Sequence, residues 1–329
     1  GMKEEHIAVR SAVGLFDISH LGQIEVSGPK ALEAVQLVTT NDASKLTDNQ
    51  IQYSLLCNPS GGIIDDVTIY MFNENRFIFG VNAVNADSDL SWLKERIGDM
   101  ASVVNLGPEY AALAIQGPLA QQMLQNICDA DLALINYYHF TLSYINGVKG
   151  IVSRIGYTGE DGFEIYIPVS AAEEVWISVM EAGKDLGIKP CGLGARDSLR
   201  LDMGYTLYGN DISVDTTPLE AGLERFVKFQ KRSFIGKEVL QKQAREGIKK
   251  RLTGFEMVGR GVPRRHYPIH AGGKSAGEVT SGGQAPSLNK FIGMGYLERP
   301  YSSLGTRIEI EIRGKMVEAV VVKRPFYKT

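Results

Sequence analysis

Two adjacent carboxylates interrupt an apolar run in the first third of the chain. The run is Gly61-Gly62-Ile63-Ile64-Asp65-Asp66-Val67-Thr68-Ile69-Tyr70. Neighbouring side chains of a strand point to opposite faces, so Asp65 shares the less polar face with Ile63 and Val67. Burying a carboxylate there is costly unless it is paired or hydrogen-bonded. The pattern therefore allows two interpretations: a hydrated turn holding both acids, or one partly desolvated carboxylate with a chemical role.

A second candidate site lies where a glycine-rich passage leads into a helix. The passage is Cys191-Gly192-Leu193-Gly194-Ala195-Arg196-Asp197-Ser198-Leu199-Arg200, which places Arg196 and Arg200 one helical turn apart. Two guanidinium groups beside a helix N-terminus bind carboxylates through bidentate hydrogen bonds and the helix dipole. The alternative is a hydrated helix face whose arginines pair with surface acids and contribute little.

The composition is that of a globular protein with more than one domain. The length of 329 residues exceeds one typical core, and 44% apolar with 22% charged residues is ordinary.

No apolar run approaches the roughly 20 residues of a membrane helix, so no membrane association is expected. Three widely spaced cysteines predict reduced thiols in a cytoplasmic compartment. Neither they nor the five histidines have metal-ligand spacing, so no metal is expected.

The net charge of −3 conceals an asymmetry between the two ends of the chain. Residues 245–329 contain 16 Lys/Arg against 7 Asp/Glu, a net +9, and the remainder therefore carries −12. A basic C-terminal part on an acidic body predicts an anionic partner. The basic residues are scattered singly through strand-like sequence, which argues against nucleic acid and for an acidic protein or an anionic small molecule.

The elements that must position these residues predict an α+β protein. Strand, Gly-Pro and helix follow one another twice, around Gly28-Pro29 and again around Gly117-Pro118, and antiparallel strands lie between the two. From about Arg251, short strands alternate with glycine and proline turns, which is typical of a small β-barrel or sandwich.

Several passages, taken together and in order, resemble the aminomethyltransferase (T-protein) of the glycine cleavage system and its folate-binding relatives. The resemblance covers nearly the whole chain. Its motifs are Gly14-Leu15-Phe16-Asp17-Ile18-Ser19-His20, Gly61-Gly62-Ile63-Ile64-Asp65-Asp66, Gly156-Tyr157-Thr158-Gly159-Glu160-Asp161-Gly162-Phe163-Glu164, Gly192-Leu193-Gly194-Ala195-Arg196-Asp197, Leu207-Tyr208-Gly209-Asn210-Asp211, Pro218-Leu219-Glu220-Ala221-Gly222 and Phe234-Ile235-Gly236-Lys237.

The resemblance implies a three-domain cloverleaf with tetrahydrofolate in its central opening. We expect a discontinuous first α+β folate-binding domain at 1–46 and 136–245, a second α+β domain at 47–135, and a C-terminal β-barrel at 246–329. Family members carry a further segment ahead of the Glu5-His6 passage. Gly1-Met2 resembles an expression remnant, so we expect either a shortened N-terminus or a divergent relative with a more open pocket.

The implied reaction moves an aminomethyl group from the lipoyl arm of the H-protein to tetrahydrofolate. Ammonia leaves, the carrier becomes dihydrolipoyl, and 5,10-methylenetetrahydrofolate forms. The resemblance assigns Asp65 as the essential catalytic aspartate, stabilising positive charge next to the attacking folate nitrogen, and leaves Asp66 a structural role. Tyr157 and Glu164 are expected to hold the pterin, and Arg196 and Arg200 the glutamate tail. Asn82, Val67 and Tyr327 complete the expected folate ligands.

Three alternatives remain open at the level of the sequence. One is a folate-dependent demethylase, or a partner resembling the folate domains of sarcosine and dimethylglycine oxidising enzymes. A second is the non-enzymatic folate-binding protein of iron–sulfur cluster maintenance, whose relatives have a cysteine beside the glycine of the Phe234–Lys237 passage. This chain has no cysteine after Cys191. The third is a structural or nucleic-acid-binding protein that uses the basic C-terminal part.

Overall fold

The computed structural model describes residues 1–328. Within them, seven α-helices alternate with strands and short 3-10 turns. The helices are α1 (Met2–Ser11), α2 (Ala31–Val38), α3 (Ala86–Ile97), α4 (Ala120–Leu124), α5 (Ala172–Ala182), α6 (Leu193–Asp202) and α7 (Lys237–Glu246). None of the helices in this part of the chain is long and apolar enough to cross a membrane.

Seventeen strands form two open sheets and a closed barrel within residues 1–328. In chain order they are β1 (Gly14–Asp17), β2 (Gly22–Ser27), β3 (Gln50–Cys57), β4 (Ile63–Asn73), β5 (Arg76–Val81), β6 (Ser102–Asn105), β7 (Tyr110–Gln116), β8 (Phe140–Ile145), β9 (Val148–Ser153), β10 (Gly162–Pro168), β11 (Lys189–Pro190), β12 (Lys250–Met257), β13 (Pro268–Ala271), β14 (Lys274–Ala285), β15 (Lys290–Glu298), β16 (Arg307–Ile312) and β17 (Lys315–Val322).

The two open sheets pack against each other and carry helices on their outer faces. The six-stranded sheet has the order β11-β1-β7-β10-β9-β8, and the five-stranded sheet has the order β3-β4-β5-β2-β6. Tyr70 of β4 and Tyr166 of β10 meet edge to face across the interface, with ring centroids 5.8 Å apart. On the far side of the five-stranded sheet, Val35 of α2 and Leu93 of α3 pack on Val67. Both faces of this sheet are therefore covered.

The C-terminal strands close into a barrel of order β12-β15-β14-β13-β16-β17. Its interior is filled by alternate apolar side chains such as Phe255, Ile269, Val279, Ile308 and Val321. The α+β class with two sheet-containing units and a C-terminal barrel, predicted from the sequence, is thus confirmed. The predicted last residue of the barrel, Thr329, lies outside the described residues.

Sheet membership departs from the predicted division at residues 46 and 135. Strand β2 was expected in the first unit, yet it pairs with β5 in the five-stranded sheet. Strand β7 was expected in the second unit, yet it pairs with β1 and β10 in the six-stranded sheet. The chain therefore passes between the sheets after β1 and again before β7. Local sequence did not reveal these crossings because strand partners are chosen over long distances in the chain.

Helix α6 joins the sheets to the barrel. His6 of α1 lies between Ser198 of α6, 2.7 Å from its Nδ1, and Ser287 of the barrel, 2.7 Å from its Nε2. His6 is fully buried, as is Asp202 at the end of α6, whose Oδ2 lies 3.2 Å from Nε2. These contacts fix α6 and its arginines against the barrel.

Candidate active site

Strand β4 carries the carboxylate pair, and a tight glycine turn sets where the strand begins. Gly61 has φ +85, which favours glycine, and its N–H donates to the Asn58 carbonyl at 2.9 Å. A Cβ added at Gly62 would lie 1.9 Å from the Val214 carbonyl oxygen, so only glycine fits there. The strand then begins at Ile63 and already includes both acids, which excludes the hydrated-turn interpretation.

Alternation along β4 places the two carboxylates on opposite faces. Asp65 lies on the face of Ile63 and Val67, as the sequence predicted, and it is 0% exposed. Its oxygens accept from the Asn82 backbone N–H at 2.9 Å, the Asn82 Nδ2 at 2.8 Å and the Asn85 Nδ2 at 2.8 Å. Asp65 therefore faces away from the open side of the sheet, and its role as the catalytic carboxylate stays a prediction.

Asp66 is the carboxyl group that faces the cavity. The Tyr53 hydroxyl donates to its Oδ2 at 3.0 Å, and Asn82 Nδ2 donates to its Oδ1 at 2.9 Å. Burial, and next the negative charge of Asp65, raise the pKa of Asp66 to about 7. Asp66 therefore changes its charge near neutral pH, whereas an ordinary aspartate is fully ionised there.

A cavity of about 1460 Å³ lies where the two sheets, α6 and the barrel meet. The five-stranded sheet contributes Asp66, Thr68 and Asn82, and the six-stranded sheet and its loops contribute Tyr157, Glu164 and Tyr166. Arg196 enters from α6. The barrel side is basic, and its cationic lining residues are Arg251, Arg299, Lys323 and Arg324. The basic character of the C-terminal part is thus partly directed into this cavity.

Glu164, Tyr157 and Arg196 form a second polar group across the cavity from Asp66. Burial is the larger influence on Glu164 and raises its pKa, while the charge of Arg196 and a 3.3 Å hydrogen bond from Tyr166 oppose the shift. The Arg196 guanidinium lies 4.9 Å from the Tyr157 ring centroid, a cation–π distance. Arg196 takes part in none of the ion pairs of residues 1–328, so its donors remain available to a ligand.

Arg200, the predicted second ligand for the glutamate tail, is instead engaged by the protein. It is 1% exposed. Its guanidinium donates to Asp197 Oδ1, Asp211 Oδ2 and Ser281 Oγ, each at 2.8 Å. Asp211 is itself fully buried, so Arg200 neutralises a buried anion and ties α6 to β14. Arg200 also lines the cavity, and its role as a folate ligand stays a prediction.

The three more loosely expected ligands have different surroundings. Asn82 lines the cavity and bridges both carboxylates through its amide. Val67 lies along the cavity wall but is 1% exposed, because its side chain packs in the core beneath α2 and α3. Tyr327 is outside the cavity lining: its ring packs on the Arg10 guanidinium at 4.1 Å. The role of Tyr327 as a folate ligand stays a prediction.

Sequence reasoning gave Asp66 only a structural role, and it missed three further polar residues around the carboxylate pair and Arg196. They are Tyr53, Asn85 and His20. The alternation of β4 was a usable signal for Asp66, since it lies opposite Ile63 and Val67. Tyr53 and Asn85 belong to other elements and have no local signal. No group of three His, Cys, Asp or Glu residues suited to hold a metal ion occurs in the described part of the chain.

Comparisons with known proteins agree with this architecture. The model of the GCVT N-terminal domain matches residues 1–231, and that of the glycine cleavage T-protein C-terminal barrel domain matches residues 250–328. An aminomethyltransferase of Caldanaerobacter subterraneus subsp. tengcongensis is 48% identical over 98% of this chain and 87% of its own length. One from Desulfitobacterium hafniense is 46% identical over 100% and 90%, respectively.

A solved structure matches the whole fold. Glycine cleavage system aminomethyltransferase T from Bartonella henselae superposes with a TM-score of 0.93 at 34% identity, over 99% of this chain and 90% of that one. Two sheet-containing units and a barrel around one polar cavity, together with these full-length relatives, define an enzyme of the transferase class. The chain belongs to the glycine cleavage T-protein family.

Proposed function

We propose that this enzyme transfers the one-carbon unit of an aminomethyl group to tetrahydrofolate. The donor is the lipoyl arm of an H-protein; ammonia is released, the carrier is left as dihydrolipoyl, and 5,10-methylenetetrahydrofolate forms. The observation that carries the proposal is the pair of polar groups across one cavity, with Asp66 on one side and Glu164 with Arg196 on the other. Family membership supports the reaction class.

The chain's own residues fit a reduced folate. Glu164 offers a buried carboxylate, which accepts from an amino group and a ring N–H together. Arg196 offers unengaged donors in the planar fork that suits a glutamate carboxylate. Tyr157 supplies an aromatic ring beside Arg196. Tetrahydrofolate, when bound, supplies the nitrogen that attacks the transferred carbon.

Asp66 is the proposed catalytic residue. As the bond between the carrier sulfur and the transferred carbon weakens, positive charge develops on the aminomethyl unit. An ionised Asp66, held by Tyr53 and Asn82, would stabilise that charge. It would also orient the attacking nitrogen, and each effect is worth a few kcal/mol. Asp66 need not accept a proton to do this.

The mouth of the cavity suits a lipoyl arm and its carrier. Large apolar side chains that line the cavity are exposed there, namely Val84, Tyr137, Leu193 and Leu304. They offer contacts to the apolar stem of a lipoyl-lysine, while the basic lining residues of the barrel would attract an acidic protein. A cytoplasmic site of action is part of the proposal, and the three free cysteines agree with it.

The test is a comparison of one-carbon donors. Methylenetetrahydrofolate formation is measured with an aminomethylated, lipoylated H-protein, with methylated amines and with a methylated sulfonium compound. Turnover with the H-protein alone is the expected result, and it should be lost in Asp66→Asn but not in Asp215→Asn, whose side chain is exposed. Turnover with the methylated amines and none with H-protein would overturn the proposal in favour of a demethylase.

A further inference from the structure

A third carboxyl group, Asp89 of α3, lies behind the Asp65–Asp66 pair. It is 0% exposed, and no donor among residues 1–328 reaches either of its oxygens. Asp89 follows Asn85 by one helical turn, so the two side chains share a face of the helix, and its N–H donates to the Asn85 carbonyl at 2.7 Å. Asn85 donates to Asp65 from this same helix face, and the negative charge of Asp65 acts on Asp89.

A buried carboxyl group with neither a cation nor a hydrogen-bond donor is costly to ionise. None of the ion pairs of residues 1–328 includes Asp65, Asp66 or Asp89. Asp65 accepts from three N–H groups, whereas Asp89 accepts from none. A proton on Asp89 would make it a donor to its neighbour Asp65.

We propose that Asp89 is a positioning residue: a neutral carboxylic acid that donates a hydrogen bond to Asp65 and so keeps one negative charge, rather than two, behind Asp66. The inference rests on the role proposed for Asp66 and assigns the group that controls when Asp66 ionises. In agreement with it, burial, and next the negative charge of Asp65, raise the pKa of Asp89 to about 10.

The consequence for Asp66 follows from the groups that surround Asp89. The titratable side chains that shift the pKa of Asp89 are Asp65 and Asp66 of β4. The charge of Asp89 in turn raises the pKa of Tyr208, whose hydroxyl donates to the Ile63 carbonyl at 3.4 Å. None of these three supplies a positive charge. A second anion at Asp89 would therefore raise the pKa of Asp66 beyond its value of about 7 and leave it protonated at neutral pH.

The test compares Asp89→Asn with Asp89→Leu in the full-length enzyme. Asn keeps a donor to Asp65 and carries no charge. The pH at which kcat/KM rises to half of its maximum should therefore be the same as in wild type. Leu removes the donor and should lower kcat about tenfold, which Asn rescues to within about twofold of wild type. If kcat/KM of Asp89→Asn rises at a lower pH than that of wild type, Asp89 is normally charged, and the inference is overturned. Equal kcat in the Leu and Asn variants would overturn the positioning role.

Infrared spectroscopy provides a readout that needs no turnover. At a pH between the pKa values of Asp66 and Asp89, wild type should show the C=O band of a neutral carboxyl group that Asp89→Asn lacks. Absence of that difference would overturn the inference even if Asp89→Leu does not fold. The proposed function is tested separately, because full activity of Asp66→Asn would remove the role of Asp66 without changing this band.

Discussion

The side-chain amide of Asn82 donates to both carboxylates of the Asp65–Asp66 pair. Its Nδ2 lies 2.8 Å from Asp65 Oδ1 and 2.9 Å from Asp66 Oδ1, and its backbone N–H lies 2.9 Å from Asp65 Oδ2. One residue thus links the buried carboxyl group to the one that faces the cavity. Because their surroundings differ, the two aspartates should respond differently to substitution.

Asp66→Asn should reduce turnover by about 100- to 1,000-fold while tetrahydrofolate still binds, because the amide keeps the shape of the carboxylate but not its charge. Asp65→Asn should chiefly destabilise the fold, by about 1–3 kcal/mol, since its amide N–H₂ would face the donors of Asn82 and Asn85. Steady-state kinetics and urea denaturation of both variants separate the two effects. A loss of turnover confined to Asp65→Asn would restore the assignment made from the sequence.

The rate should rise with pH through about 7. Asp66 has a raised pKa of about 7, so it is protonated below that pH and cannot stabilise positive charge, and it is ionised above it. A kcat/KM profile measured between about pH 5.5 and about pH 8.5 should show one acid limb in wild type. The limb should be missing from the residual activity of Asp66→Asn. Rates that fall as pH rises through this range would contradict the role of Asp66 as a carboxylate.

Arg196→Ala should weaken tetrahydrofolate binding about 10- to 100-fold, since it removes a charge-assisted contact of about 1.5–3 kcal/mol. Glu164→Gln should weaken it by a similar factor, because a neutral amide accepts less strongly from the pterin N–H groups. Titration calorimetry measures both. Arg313→Ala, on an exposed turn of the barrel, is the matched control and should bind as wild type does. Equal affinity in all of these proteins would exclude Arg196 and Glu164 as ligands.

Arg200→Met should destabilise the protein by about 3–5 kcal/mol, because it leaves the buried Asp211 carboxylate without its cation. Chemical denaturation measures this loss. Any folded Arg200→Met should still bind tetrahydrofolate, in contrast to Arg196→Ala. Normal stability combined with weak folate binding would instead assign Arg200 to the ligand.

Asp89→Asn should become more stable than wild type as pH rises. The folded-state pKa of Asp89, about 10, lies above the ordinary aspartate value of 3.8. The folded state therefore binds more protons than the unfolded state between these values, and wild-type stability falls as pH rises. The Asn variant has no carboxyl group at this position, so its stability does not decrease with pH for this reason. Urea denaturation at about pH 5 and about pH 8.5 should show the difference between the two proteins growing with pH. A constant difference would mean that Asp89 has an ordinary pKa.

The sequence was sufficient for the class of the fold and for the face that each residue of β4 occupies. Alternation correctly placed Asp65 with Ile63 and Val67, and the ordered motifs correctly indicated the family. The resemblance assigned the chemistry to Asp65, whereas Asp66 is the carboxyl group of the pair that lines the cavity. Helices cover one face of the five-stranded sheet, whereas the second sheet, α6 and the barrel enclose the cavity on the other. Apolar residues on one face of a strand do not reveal whether that face packs in the hydrophobic core or lines a cavity.

Helical spacing likewise predicted that Arg196 and Arg200 share one face of α6, but it did not indicate what each would meet. Asp211 and Ser281, far away in the chain, engage Arg200, and Arg196 remains free. Periodicity along the chain is a local property, and the sequence determines it directly. Partners brought from distant elements depend on how the sheets, α6 and the barrel pack. Only the tertiary structure decided that Asp66 rather than Asp65 lines the cavity, and that Arg200, which lines it together with Arg196, is engaged by Asp211 and Ser281.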